Sequence, residues 1–206
     1  MSNDSHRIES LAELRQVIDE PNPVTRQKVF EALDEQMQAF VARAPFCLLA
    51  TADADGQLEV SPKGDVPGFV QIEDARTLLL PDRKGNKLLF GLQNILANPQ
   101  VALIFLLPGT DETLRVSGRA ELHSEPALLA RLSARGQPAL IAIRIHVERC
   151  FFHCARAFLR ASLWKPETWS ERQRISMGRQ LAPKLGGGDA LAAEIDARIA
   201  KGVADL

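Results

Sequence analysis

Two short stretches of this 206-residue chain each place a basic side chain, a glycine and a side-chain acceptor directly after an extended segment. One is Ser61-Pro62-Lys63-Gly64-Asp65, the other Asp82-Arg83-Lys84-Gly85-Asn86. A glycine lets the main chain approach an anion closely, and Lys or Arg supplies charge-assisted hydrogen bonds. The second stretch runs into a helical pattern with Asn86 at its expected start, where free N–H groups and the positive helix end add to the attraction. These are the parts of a phosphate cradle. Two solvated basic turns would present the same residues, and spacing alone does not separate the readings.

Other polar residues pose a similar choice. Arg115 and Ser117 fall two apart in an alternating segment and share a face with Arg119, as either a pocket wall or a wet strand surface. Arg144 and His146 do the same in the last extended segment and are weak candidates for general acids. Cys150-Phe151-Phe152-His153-Cys154 clusters three possible metal ligands, but the order is not that of a haem attachment motif, and no second cysteine pair completes a zinc site. Thiols packed beside aromatics are the simpler reading, so no metal is expected. G-x-S-x-G, H-E-x-x-H and G-x-G-x-x-G are all absent, and Gly186-Gly187-Gly188 lacks the strand and Lys-Ser/Thr of a phosphate loop. An enzyme of this sequence would leave its chemistry to a cofactor.

The elements that must position these residues are mostly short strands. Phe46–Thr51, then the turn Asp53-Ala54-Asp55-Gly56, then alternating Gln57–Ser61 reads as a β-hairpin. Further strands are expected over residues 68–72, 77–80, 100–107, 113–123 and 139–152, with helices at 86–97 and 125–135. Six or seven strands with short connections argue for a small antiparallel barrel, since closure removes exposed edges. In front of it, Ser10-Leu11-Ala12-Glu13 has the form of a capping box. A second helix is expected over residues 25–42 from the stripe Val29, Leu33, Met37 and Phe40. Behind the barrel, helices are expected at 155–163, 170–181 and 189–201, the triple glycine acting as a hinge. The division is 1–44 helical, 45–155 barrel and 156–206 a helical extension.

With 25 Lys and Arg against 26 Asp and Glu, the chain has no basic excess with which to neutralise a nucleic-acid backbone. The polar start Met1–Arg7 has no secretory h-region, and the run Val101–Leu107 is too short to span a bilayer. Three cysteines fit a reducing compartment, so a cytoplasmic location is expected.

The order of these pieces resembles the pyridoxamine 5'-phosphate oxidase-like FMN-binding split-barrel family. The resemblance rests on the hairpin from Phe46, then Ser61–Asp65, Leu80–Asn86, the helix ending Asn94–Pro99, and Glu112–Ala120. His153–Trp164 is similar to a C-terminal segment of one branch. The resemblance covers roughly residues 25–170. It implies a mainly β fold, a six-stranded antiparallel split β-barrel with flanking N- and C-terminal helices. It also implies a homodimer with FMN at the subunit interface. Lys63 with its neighbours Ser61 and Pro62 would line the isoalloxazine side. Arg83, Lys84, Asn86 and Lys87 would hold the phosphate, and Arg115 and Ser117 would lie near the flavin. Arg160 and Trp164 would reach the partner's cofactor. This chain has Leu88 where relatives often carry a basic residue, and it lacks the family's pyridoxamine phosphate signature. The implied function is that of an FMN-dependent oxidoreductase of unassigned substrate. The alternatives are a flavin carrier or sensor without turnover, or a binder of F420 or haem.

Overall fold

Strand register, more than helix packing, sets the geometry of this protein. The computed structural model describes residues 6–154 and 156–204. The polar start at residues 1–5 and the first residue of the expected helix at 155–163 lie outside the described residues. The chain divides into two units between Trp164 and Lys165.

In the first unit, three short helices precede the sheet: α1 (Leu11–Val17), α2 (Pro23–Arg26) and α3 (Glu35–Arg43). Ser10 caps α1 by accepting from the Glu13 N–H at 3.2 Å, as its capping-box form predicts. The expected helix over 25–42 is broken in the middle, for two local reasons. Asp34 accepts from the Met37 N–H at 2.8 Å and starts α3 afresh. Phe30 exchanges two backbone hydrogen bonds with Cys150, 2.9 and 2.8 Å, along a strand edge that nothing else fills. Leu33, Met37 and Phe40 of the expected stripe are buried, while Val29 is not.

Seven antiparallel strands follow, one more than the six expected: β1 (Phe46–Ala52), β2 (Leu58–Gly64), β3 (Gln71–Asp74), β4 (Thr77–Asp82), β5 (Gln100–Leu106), β6 (Thr113–His123) and β7 (Ile141–His153). They pair in the order β2-β1-β5-β6-β7-β4-β3, with β2 and β3 as the two edge strands. Closure is therefore incomplete, as in a split barrel. Residues opposite each other in antiparallel strands point to one side, so the register sorts side chains by face. Ser61, Leu49, Leu103, Val116 and Cys150 form one inward row. Pro62, Leu48, Ile104, Arg115 and Phe151 form the neighbouring outward row. At the β6–β7 register shift, a Cβ on Gly118 would lie 1.9 Å from the His146 carbonyl oxygen, so only glycine fits.

The core fills the inward face, with Leu78, Leu80, Phe105, Leu114, Ile143 and Ile145 fully enclosed. β4 is buried on both faces because α5 (Pro126–Arg131) covers its other side, packing Leu128 near Leu79 and Ala142. α4 (Phe90–Ala97) lies against β1, where Asn94 Nδ2 donates to Thr51 Oγ1 at 3.1 Å. α6 (Arg156–Ala161) ends the unit.

The second unit contains α7 (Met177–Leu181) and α8 (Asp189–Ala204). Ser176 caps α7 and donates to Asp196 of α8 at 2.5 Å, and the Gly178 N–H donates to the same carboxylate at 2.7 Å. These two hydrogen bonds hold the Asp196 carboxyl below the usual range. A Cβ on Gly178 would meet the Ala192 carbonyl oxygen at 1.9 Å, so the helices touch backbone to backbone there. α7 is shorter than the expected 170–181 because its cap is Ser176. Gly186, at φ +71°, ends a 3-10 turn ahead of α8.

Candidate functional site

The two basic stretches converge. A cleft of about 260 Å³ lies where β2, the end of β4 and the 83–89 loop meet. Period-two alternation puts Glu59, Ser61 and Lys63 of β2 on its wall. Arg83, Lys84, Asn86 and Lys87 line the loop side, and Leu49 and Leu140 are also in the wall. Four cations face two carboxylates, Glu59 and Asp82, so the cleft is electropositive.

Ion pairs across the split hold its walls together. Lys63 Nζ pairs with Asp82 at the end of β4, and Arg83 Nε donates to Asp65 Oδ2 at 3.2 Å. The Asp65 side chain is only 5% exposed and also accepts from the Val66 N–H at 2.9 Å. Arg83 is thus aimed by a buried carboxylate, yet its Nη1 is itself buried and has no hydrogen-bond partner among the described residues. An unpaired charged donor next to a cleft is costly unless something binds it.

The loop departs from the expected helix at 86–97. Lys87 and Leu89 take φ of +63° and +61°, and the Asn86 carboxamide accepts from the Leu88 N–H at 3.0 Å. This local turn replaces the first helical turn, and α4 begins only at Phe90. The anion argument moves with it. No side chain caps α4, and Leu89 through Leu92 line the cleft, so the free N–H groups and positive end of the helix open there. Backbone strain at two non-glycine residues is the kind of feature found at ligand clamps.

Of the eleven residues expected to bind a cofactor, six line this cleft: Ser61, Lys63, Arg83, Lys84, Asn86 and Lys87. Pro62, Arg115 and Ser117 do not: Pro62 alternates away from Ser61 and Lys63 along β2, and strand register puts Arg115 and Ser117 on that same other face of the sheet. Arg160 is exposed on α6. Trp164 donates through Nε1 to the Thr110 carbonyl at 2.9 Å and stacks near Phe158, ring centroids 5.8 Å apart. Arg144 pairs with Glu73 on the α5 side of β7, and His146 points the same way, so neither reaches the cleft.

Glu59, Asp82, Leu140 and the α4 start are wall residues that spacing did not identify. Glu59 was legible from its alternation with Ser61 and Lys63, whereas Leu140 arrives from a loop nearly sixty residues later. The Cys150–Cys154 cluster disperses. Cys150 faces the core with its thiol 3.6 Å from the Phe30 carbonyl, His153 is on the outward face and Cys154 is exposed. Cys47, opposite Lys63, is fully buried; burial pushes its thiol up to about 12, and the nearby ammonium offsets only part of that.

A family model described as pyridoxamine 5'-phosphate oxidase matches residues 33–154. No curated protein matches the chain. Among solved structures, HupZ of Group A Streptococcus is similar at 22% identity and a TM-score of 0.49, covering 60% of this chain and 95% of that one. An FMN-binding protein from Syntrophomonas wolfei is similar at 14% identity and a TM-score of 0.42, covering 57% and 89%. No described helix is long and apolar enough to cross a membrane.

Proposed function

Because the chain belongs to the pyridoxamine 5'-phosphate oxidase family, we propose that it is a flavoprotein that binds FMN in this cleft and works as a homodimer. One observation carries the reading. Arg83, Lys84 and Lys87 gather with Lys63 in an electropositive cleft onto which an uncapped helix N-terminus opens, and the buried Arg83 Nη1 has no partner among the described residues. A phosphate monoester satisfies all three features at once. Arg83, Lys84 and Lys87 hold it, with the α4 N–H groups, and Asn86 shapes the turn. Ser61 and Lys63 lie farther along the wall, where a ring system attached to that phosphate would extend.

Size and surface support the dimer. A cleft of about 260 Å³ falls below the roughly 300–1,000 Å³ usual for ligand pockets, so one chain supplies only part of the walls. Around it Leu88, Leu89, Phe90 and Leu140 are all more than half exposed, Leu58 and Val60 are likewise exposed on the other face of β2, and the outer side of β2 is a free strand edge. Such an apolar rim beside a free strand edge fits coverage by a second copy. Pro62, Arg115, Ser117, Arg160 and Trp164 would meet a flavin only across that boundary.

Bound FMN supplies hydride or electron transfer, and the reading is of an FMN-dependent oxidoreductase. The protein's own contribution is binding, orientation and positive charge. Lys63, already paired with Asp82, keeps a cation on the ring side of the cleft. Glu59 is the cleft carboxylate with no ion pair among the described residues.

The test is an absorbance scan of the purified protein followed by fluorescence titration of the apoprotein with FMN. Flavin bands, or saturable quenching together with sedimentation as a dimer, support the reading. A colourless protein that leaves FMN fluorescence unchanged overturns it.

A further inference from the structure

A second group of basic side chains stands on the outward face of the sheet and lines no part of the cleft. Lys28 Nζ lies 5.0 Å from the centre of the Phe151 ring, Arg115 Cζ lies 6.0 Å from it, and the His153 ring centre lies 6.3 Å away. The fold has definite reasons for this gathering. Phe151 is opposite Arg115 in the β6–β7 register, and His153 is opposite Thr113, so both aromatic side chains share the face of the guanidinium. The Phe30–Cys150 bridge ties the segment before α3 to the edge of β7 and brings Lys28 over the same ring.

These basic groups have no carboxylate partner among the described residues: none of Lys28, Arg115 and His153 belongs to an ion pair there. Part-buried basic groups elsewhere in the chain do have carboxylate partners: Lys63 with Asp82, Arg83 with Asp65 and Arg144 with Glu73. Arg115 Nε and His153 Nδ1 are moreover buried without any hydrogen-bond partner among the described residues. A ring face attracts cations but leaves their N–H groups unsatisfied, so the cation–π contacts do not complete the site. Two orphaned nitrogens around one ring, with an ammonium over that ring, are what a small anion with several acceptor oxygens would satisfy.

We propose that Lys28, Arg115 and His153 form a binding site for a small oxyanion, a phosphate or carboxylate group, separate from the cleft. Arg115 and Lys28 supply the charge, the imidazole supplies a further donor when protonated, and Phe151 forms the floor. In the free protein, burial together with the positive charges of Arg115 and Lys28 holds the imidazole below its ordinary value. The charged groups acting on the ring are those two cations, from β6 and from the segment before α3. An anion between them reverses the local field. Its binding therefore raises the imidazole's proton affinity and, by linkage, is tighter at lower pH. None of its residues lines the cleft, and Arg115 is the one residue it shares with those that the flavin reading sets across the subunit boundary.

The experiment follows the His153 ring by NMR in the full-length protein, titrated with inorganic phosphate and separately with acetate. Saturable shifts of the ring signals and an upward move of its titration midpoint with either anion are expected. The tighter of the two identifies the class. Arg115→Gln weakens the response at least tenfold, and Lys28→Gln, on a segment outside the barrel, weakens it several-fold should the Arg115 variant fold poorly. Arg83→Ala leaves the response intact, which separates this site from the phosphate cradle. No saturable change at tens of millimolar of either anion overturns the proposal. So does an unchanged affinity in both Lys28 and Arg115 variants, or loss of the response in Arg83→Ala.

Discussion

Arg83→Ala is the most informative single change, because Arg83 has two tasks that the measurement can separate. Its Nε is committed to the Asp65 carboxylate at 3.2 Å, and its Nη1 is unpaired beside the cleft. Hydrogen bonds to charged groups contribute about 1.5–3 kcal/mol, equivalent to roughly 10- to 150-fold in affinity. The side chain is 27% exposed, and solvent screening favours the weaker end, about 10- to 40-fold. Truncation also removes the main partner of a carboxylate that is 5% exposed, leaving it the Val66 N–H at 2.9 Å and Arg135 at 3.6 Å. That loss costs about 1–2 kcal/mol of stability. Titrating the same apoprotein with FMN and with riboflavin, which has no phosphate, distinguishes the two tasks. A phosphate contact predicts that FMN weakens while riboflavin does not, so the preference for FMN collapses. Equal weakening of both ligands would mean that Arg83 acts only through Asp65. Unchanged FMN affinity would remove it from the site altogether.

Three further outcomes test the account of the fold. Gly118→Ala sets a Cβ 1.9 Å from the His146 carbonyl oxygen and should cost about 3 kcal/mol or more, read from the denaturant midpoint. Of the three thiols, exposed Cys154 should react quickly with a disulfide reagent at pH 8, whereas Cys47, pushed up to about 12 by burial, should react only on unfolding. Fast reaction at Cys47 would contradict its enclosure. The Asp196 carboxyl is lowered in the folded state by hydrogen bonds from Ser176 and the Gly178 N–H. Its stabilisation is therefore present above the ordinary carboxylate range and lost as pH falls through the lowered value. The protection factor of the Gly178 amide against hydrogen exchange should fall under those acid conditions, and Asp196→Asn should flatten the dependence.

The uncapped α4 terminus illustrates how local chemistry and global placement combine. Asn86 is a good helix-starting residue by type, but its carboxamide is satisfied by the Leu88 N–H, two residues on. The helix begins four residues late, with two left-handed residues between. Its first turn consequently opens on the cleft from Phe90 and not from Asn86. An expectation built on residue type alone put the right groups near each other but misplaced the helix end among them.

Much was determined by the sequence alone. Period-two alternation is local, so β1, β2, β5, β6 and β7 were legible from their apolar spacing, as was the shared face of Ser61 and Lys63. The pairing of basic residues with glycine and a polar acceptor marked both halves of the cleft. Three things were decided only in three dimensions. The break at Phe30–Leu33 depends on a free edge of β7 more than a hundred residues away. The separation of Arg115 and Ser117 from Ser61 and Lys63 depends on strand register, and a one-residue offset in register turns a side chain to the opposite face. The convergence of Lys28, Arg115 and His153 depends on that register together with the Phe30–Cys150 bridge. Alternation along a strand is carried by its own residues, whereas the face it presents is set by hydrogen bonds to distant strands that no local window contains.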